Sequence, residues 1–322
     1  MVVPAWADEG IFDQYRDLMG DDNPAIFVID EGQEFWAQVQ GPSAATLEAC
    51  DLGLGAGVTR GAYAQFPRYF ADTDRVMDIE TRLIHCMETL QGRDRTVTTA
   101  KPYSLRGDFG TELEALVTWL AAESEGVVIA PAQGHPKERA MYAMGEEIFF
   151  YRAGPHDFSC ATCHEQSNKR IRLQQLPNLT EHTEVAEAYG SWPAYRMSQG
   201  LVRTMGWRLQ DCFRQQRWPG LTFGSEVSIA LQTYMNHDFL TNTDLTTASH
   251  LKLCQRRRMR GHVRANLRAD RRRVLGRQRL LGELDHRRER GRVGGARVAA
   301  RARKKRRDRA VEPIARRGHV TL

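Results

Sequence analysis

The sequence predicts an all-α protein made of two small domains related by internal duplication, followed by a tail of different character. Three observations carry this. Apolar residues recur at helical spacing in both halves, while strand alternation and hairpin turn signals are missing. Rare landmarks recur at matching separations: Pro67, Arg82-Leu83 and Cys86 in the first half, Pro193, Arg208-Leu209 and Cys212 in the second. The charge is also split. The net +6 of the 322 residues divides into 21 Lys+Arg against 34 Asp+Glu before residue 255, and 25 against 6 from there to the end.

Taken in order, residues 1–29 form a mixed acidic extension in which Pro24 breaks any helix. The first domain spans 30–125. Phe35-Trp36 starts a helical pattern that Gly41-Pro42 ends, and residues 51–61 carry four glycines and read as loop. Residues 78–90 form an amphipathic helix, with Ile79, Leu83, Cys86 and Leu90 on one face. Residues 113–121 give another through Leu113, Leu116, Val117 and Leu120. Gly126, Pro131, Gly134 and Pro136 mark 126–139 as a linker. The second domain, 140–245, has helical patterns at 205–218 and 227–235, and Tyr234 stands where Trp119 stands in the first. No stretch approaches the roughly eighteen apolar residues of a membrane span.

The strongest chemical signal is Cys160-Ala161-Thr162-Cys163-His164. Two thiols three positions apart with histidine directly after is the attachment pattern of c-type haem: the thiols add to the porphyrin vinyl groups and the imidazole becomes the proximal ligand. The alternatives are a redox CxxC pair, which wants a βαβ context, and half a zinc site, which wants a second ligand pair at short spacing. Each domain is then expected to be cytochrome c-like, the first without haem because it has only Cys50-Asp51 at the matching place. One covalently bound haem c is expected, and with it a periplasmic location, since such haem is attached outside the bacterial cytoplasm. The start of the chain shows no complete signal peptide, but Ala5-Trp6-Ala7 resembles the end of one. A truncated reading frame or a mature form is favoured over a cytoplasmic protein.

Cys50 and Cys86 are unpaired thiols of the haem-less half, best read as a disulfide, with two separate buried thiols as the alternative. Such a link could stand in for the stabilisation a lost haem supplied. In the second half Met197, Met205 and Cys212 are candidates for the other axial position. Arg208 and Cys212, four apart, share one side of a helical turn, where a guanidinium favours thiolate and offers a fork to an oxyanion. Methionine at Met197 or Met205 would instead make a plain electron-transfer cytochrome.

The residues around these sites resemble the SoxA family of bacterial thiosulfate oxidation. The matching runs are 153–164 around the CxxCH motif, Lys169-Arg170-Ile171-Arg172-Leu173, Pro177-Asn178-Leu179, Trp192-Pro193-Ala194-Tyr195-Arg196 and 208–217. In the first half, Cys50-Asp51-Leu52-Gly53-Leu54-Gly55 and Arg68-Tyr69-Phe70-Ala71-Asp72-Thr73 match too. The resemblance covers about residues 10–240 and implies an enzyme, L-cysteine S-thiosulfotransferase. With the haem subunit SoxX, it would join thiosulfate to a cysteine of the carrier SoxYZ and pass two electrons to a small acceptor cytochrome. It implies Cys212 as catalytic cysteine and distal iron ligand opposite His164, and Arg208 as the thiosulfate-binding residue. It also implies a monoheme branch in which a disulfide replaces the first haem.

The resemblance stops after about Asn236. The basic tail at 246–322 has no Phe, Trp or Tyr in its last 68 residues. Its Arg/Ala/Gly/Val richness reads first as out-of-frame sequence, next as a solvated disordered arm, and last as a binding module; no nucleic-acid partner is expected.

Overall fold

Among the residues that the computed structural model describes (25–239, apart from 107, 172–173, 182–183, 186–187, 189 and 197) the chain is helix-rich, with three short antiparallel hairpins. Most of the N-terminal extension, the whole basic tail and Met197 lie outside the described residues. No described helix is long and apolar enough to cross a membrane.

The first half opens with α1 (Ala25–Ala37), which begins at the residue after Pro24, so Phe35-Trp36 closes this helix rather than starting one. Its earlier turns carry the apolar run Ala25–Ile29, with Ile26 buried, and then Gly32. A Cβ there would overlap the carbonyl oxygen of Ala115, so α1 meets α4 (Glu112–Glu123) backbone to backbone. Between them lie β1 (Arg68–Phe70), β2 (Arg75–Met77), α2 (Ile79–Thr89) and α3 (Arg95–Ala100). Asp78 caps α2 by accepting from Thr81 N at 2.8 Å. The glycine-rich stretch after Cys50 is loop, folded around the Asp51 carboxylate, which accepts from Gly53 N and Gly55 N. Trp36, Leu47, Leu52, Leu83, Leu116 and Leu120 lie in its buried core.

The second half runs α5 (Pro136–Phe150), α6 (Cys160–His164), β3 (Arg170–Ile171), β4 (Gln174–Gln175), β5 (Ala194–Arg196), β6 (Leu201–Arg203), α7 (Met205–Gln215) and α8 (Glu226–Asp238). Pro136 opens α5, in the first-turn position where its missing N–H costs nothing. Gly145 on α5 lies against Ala230 of α8 as Gly32 lies against Ala115. The hairpins were not expected. Their strands are two or three residues long, too short to produce a period-two pattern.

Equivalent landmarks occur at equal separations. The bridge Gln40↔Ala45 and the left-handed residues Gly41 and Ala44 precede Cys50; the bridge Ala153↔Phe158 and left-handed Gly154 and Asp157 precede Cys163. Hairpins β1–β2 and β5–β6 each lead, through one capping residue, into an eleven-residue helix carrying Cys86 or Cys212 at its eighth position.

Polar contacts lock the halves together beside α7. Arg203 donates to Glu114 at 2.8 Å, to Ser104 O at 2.8 Å and to Gln199 Oε1 at 2.7 Å, with both charges buried. Removing either partner would strand a buried charge, so the pair fixes the start of the Cys212 helix. Tyr63 donates to Trp192 O, Gln232 to Asp78 and Asn236 to Phe66 O. Glu80 is wedged against Gly206, where a Cβ would overlap its carboxylate, and accepts from Tyr103 at 2.7 Å.

Burial, reinforced by Asp78, raises the Glu80 carboxyl from its ordinary 4.5 to about 8. Between those values the folded chain holds a proton the unfolded chain has lost, so stability falls as pH rises through that window. Burial shifts Asp78 in the same sense. Glu80→Gln should keep the acceptor for Tyr103 and flatten the fall. Urea midpoints compared at pH 5 and pH 8 should converge for the variant; an unchanged pH dependence would refute this role of Glu80.

Candidate functional site

The site is built on α6. Ser159 caps this short helix: its hydroxyl accepts from Thr162 N at 3.1 Å while Thr162 Oγ1 accepts from Ser159 N at 3.0 Å. The reciprocal cap fixes the turn carrying Cys160 and Cys163. Both thiols are free and partly buried. Burial pushes the Cys160 thiol up to about 12, with Cys212 and Cys163 adding to the effect, and burial also raises Cys163 against the pull of Lys169. Lys169 donates to Thr162 O at 2.9 Å and to Gln166 Oε1 at 2.8 Å, tying the downstream loop to α6.

His164 Nδ1 lies 3.0 Å from Pro177 O. A carbonyl only accepts, so Nδ1 carries the proton and Nε2 keeps its lone pair. Burial lowers the His164 pKa, which favours the neutral ring that a metal needs. The sequence motif could not show this backbone partner. The same loop is held again where Leu179 N donates to His164 O at 2.8 Å.

Cys212 and Arg208 lie on α7, whose Met205, Leu209 and Phe213 face the core. Arg208 acts electrostatically on both His164 and Cys212, and Cys163 acts on Cys212, so the candidate residues share one neighbourhood. Burial raises the Cys212 pKa and outweighs the lowering by Arg208. The guanidinium acts in the direction of thiolate, and burial opposes it. Met205 is buried in the same core.

The two arginines at matching positions differ. Arg82 is 4% exposed and firmly held: Nε donates to Asp51 O at 2.7 Å, and Nη1 reaches both oxygens of Asp72 at 2.9 and 2.7 Å. Arg208 is 25% exposed, and among the described residues it donates to one Asp211 oxygen at 3.2 Å. Asp211 is shared with Arg214 and Gln215, both at 2.6 Å. Arg208 thus keeps donors that an oxyanion can use. Sequence reasoning assigned no role to Asp211 or to Arg196. Arg196, half-buried on β5 near the ring of Trp192, is also charge-coupled to Arg208 and Cys212.

In the first half Cys50 and Cys86 form a disulfide with Cα atoms 5.6 Å apart. Its sulfurs stand at the positions that match Cys163 and Cys212.

The donor set fits haem c: two free thiols one turn apart, a histidine with Nε2 open, and an apolar wall that includes Phe149, Leu179, Trp192 and Leu209. Among the described residues, no three His, Cys, Asp or Glu side chains converge as a bare-ion site, so the closed shell zinc wants is not formed there.

Residues 31–129 match the SoxA/TsdA cytochrome c domain family, a match that falls on the half without the CxxCH motif. The chain is 48% identical over 223 residues to the L-cysteine S-thiosulfotransferase subunit SoxA of Hydrogenophilus thermoluteolus, covering 69% of this chain and 81% of that protein. The chain belongs to the SoxA family. A second relative of that name, from Hydrogenobacter thermophilus, is 33% identical over 67% of this chain and 77% of its own length. The fold is similar to that of the P. pantotrophus SoxXA crystal structure, with a TM-score of 0.58 at 21% identity, covering 73% of this chain and 82% of that one.

Proposed function

We propose that this chain is the catalytic subunit of an L-cysteine S-thiosulfotransferase, joining thiosulfate oxidatively to a cysteine of the carrier SoxYZ. Membership of a family whose relatives carry that name supports it. The observation that carries it at the level of residues is the Arg208–Cys212 turn: an under-used guanidinium beside a buried thiol, in the neighbourhood of the CxxCH histidine. Cys160 and Cys163 would hold one haem c covalently and His164 would ligate it.

In the net reaction the carrier thiol loses its proton, a sulfur–sulfur bond forms to the terminal sulfur of thiosulfate, and two electrons leave. Haem, when bound, supplies the electron sink. Arg208 binds the sulfonate oxygens and orients the terminal sulfur toward Cys212. Cys212 is partly buried on the helix whose Leu209 and Phe213 join the buried apolar cluster.

The proposed setting is the periplasm, with SoxX as partner subunit and a small cytochrome as electron acceptor. We assign the chain two cytochrome c-like domains derived by duplication, the first from α1 (Ala25–Ala37) to residue 125 and the second from α5 (Pro136–Phe150) onward, so the expected limits at 30 and 140 move back to the starts of those helices. The matching glycine contacts, bridges and hairpin-to-helix steps support that descent.

The test is direct. The haem-loaded chain with its SoxX partner, thiosulfate, reduced SoxYZ and an oxidised acceptor cytochrome should add one thiosulfate group to the carrier cysteine, read by intact-mass spectrometry. Reduction of the acceptor with an unmodified carrier would leave the electron carrier as the reading and remove the transferase.

A further inference from the structure

We propose that in the haem-free chain Cys163 and Cys212 form a disulfide, and that it must be reduced before haem can attach. The inference does not depend on thiosulfate chemistry. It starts from the first half, where the fold has already closed the same bond. Cys50 follows the bridge Gln40↔Ala45 and left-handed Ala44, as Cys163 follows the bridge Ala153↔Phe158 and left-handed Asp157. Cys86 and Cys212 are each the eighth residue of an eleven-residue helix entered from a hairpin through one capping residue. The first pair is bonded, with Cα atoms 5.6 Å apart, inside the range a disulfide requires.

The second half carries the same two thiols in the free state. Their helices meet in one buried cluster, where Ala161 and Cys160 of α6 pack with Leu209 and Phe213 of α7. Cys160 is a third thiol in the group and also senses Cys212. The matching positions decide between them: the first-half residue that corresponds to Cys160 is Leu47, and it is Cys50, the counterpart of Cys163, that is bonded.

The step balances. Two thiols lose two protons and two electrons, one S–S bond forms, and a small-molecule disulfide accepts the electrons and becomes two thiols. The product ties up one of the two sulfurs that haem attachment needs, together with the buried thiol of α7. A thiol–disulfide exchange reaction must therefore act on this chain before haem addition, and must spare Cys50–Cys86. The two disulfides sit in different halves, so exchange at one need not open the other.

The experiment uses the full chain produced without haem attachment, incubated with glutathione disulfide and mapped by non-reducing peptide mass spectrometry after thiol blocking. The expected result is a Cys163–Cys212 cross-link beside Cys50–Cys86, kept in Cys160→Ser and lost in Cys163→Ser. The same incubation in concentrated guanidinium controls for folding. There the short Cys160–Cys163 loop should dominate, so the Cys163–Cys212 share should fall several-fold on unfolding. Recovery of Cys212 as a blocked free thiol under native conditions would overturn the proposal. So would its pairing with Cys160 or Cys254, a predominant Cys160–Cys163 bond, or an equal distribution with and without denaturant.

Discussion

Cys212→Ala is expected to abolish conjugation of thiosulfate to the carrier while leaving haem attached. Attachment depends on Cys160 and Cys163, which sit on α6 and owe their geometry to the Ser159–Thr162 cap, a device Cys212 does not touch. The fold should survive, because the substitution removes one sulfur from α7 while Met205, Leu209 and Phe213 keep the helix packed. The stability cost should be about 1 kcal/mol, typical of trimming one buried atom. Haem content by pyridine haemochrome should match the parent protein, and carrier modification by mass spectrometry should fall to background. Parent-level turnover in this variant would sink the transferase reading and leave electron transfer standing.

Much of this was legible in the sequence because it rests on covalent spacing. The CxxCH turn, the four-residue step from Arg208 to Cys212 and the repeated markers around Pro67 and Pro193 are written in residue order. What escaped was decided by groups that spacing cannot encode. The partner of His164 is the carbonyl of Pro177, a backbone atom brought back by the loop through β3 and β4. The first helix was misplaced because Pro24 reads as a break in any helix up to residue 29, whereas α1 (Ala25–Ala37) already buries Ile26 in its first turn. The burial that opposes the pull of Arg208 on Cys212 was not legible, because a neighbouring charge can be read from a helix turn, whereas burial can be read only from the fold. Arg82 and Arg208 look alike in sequence, and tertiary partners alone separate a buried arginine held by a carboxylate and a backbone carbonyl from a more exposed one.

That last contrast gives the second large effect. Arg208→Ala should cut kcat/KM for thiosulfate by roughly 10²- to 10³-fold, about 2–4 kcal/mol of transition-state stabilisation, the size of a lost oxyanion donor in a shielded site. Arg208→Lys should recover only part of it, because an ammonium keeps the charge and loses the planar fork that spans two sulfonate oxygens. The effect on folding should be small. The partner Asp211 retains Arg214 and Gln215 at 2.6 Å, so no buried carboxylate is stranded. Arg82→Ala is the informative control. That guanidinium holds Asp72 and the Asp51 carbonyl in the haem-less half, so its loss should lower the denaturation midpoint and leave the thiosulfate dependence of the remaining folded protein unchanged. Steady-state rates across thiosulfate concentration, alongside denaturant titrations of all three variants, separate the two arginines. If Arg208→Ala and Arg82→Ala changed kcat/KM equally, Arg208 would have no special claim on the substrate.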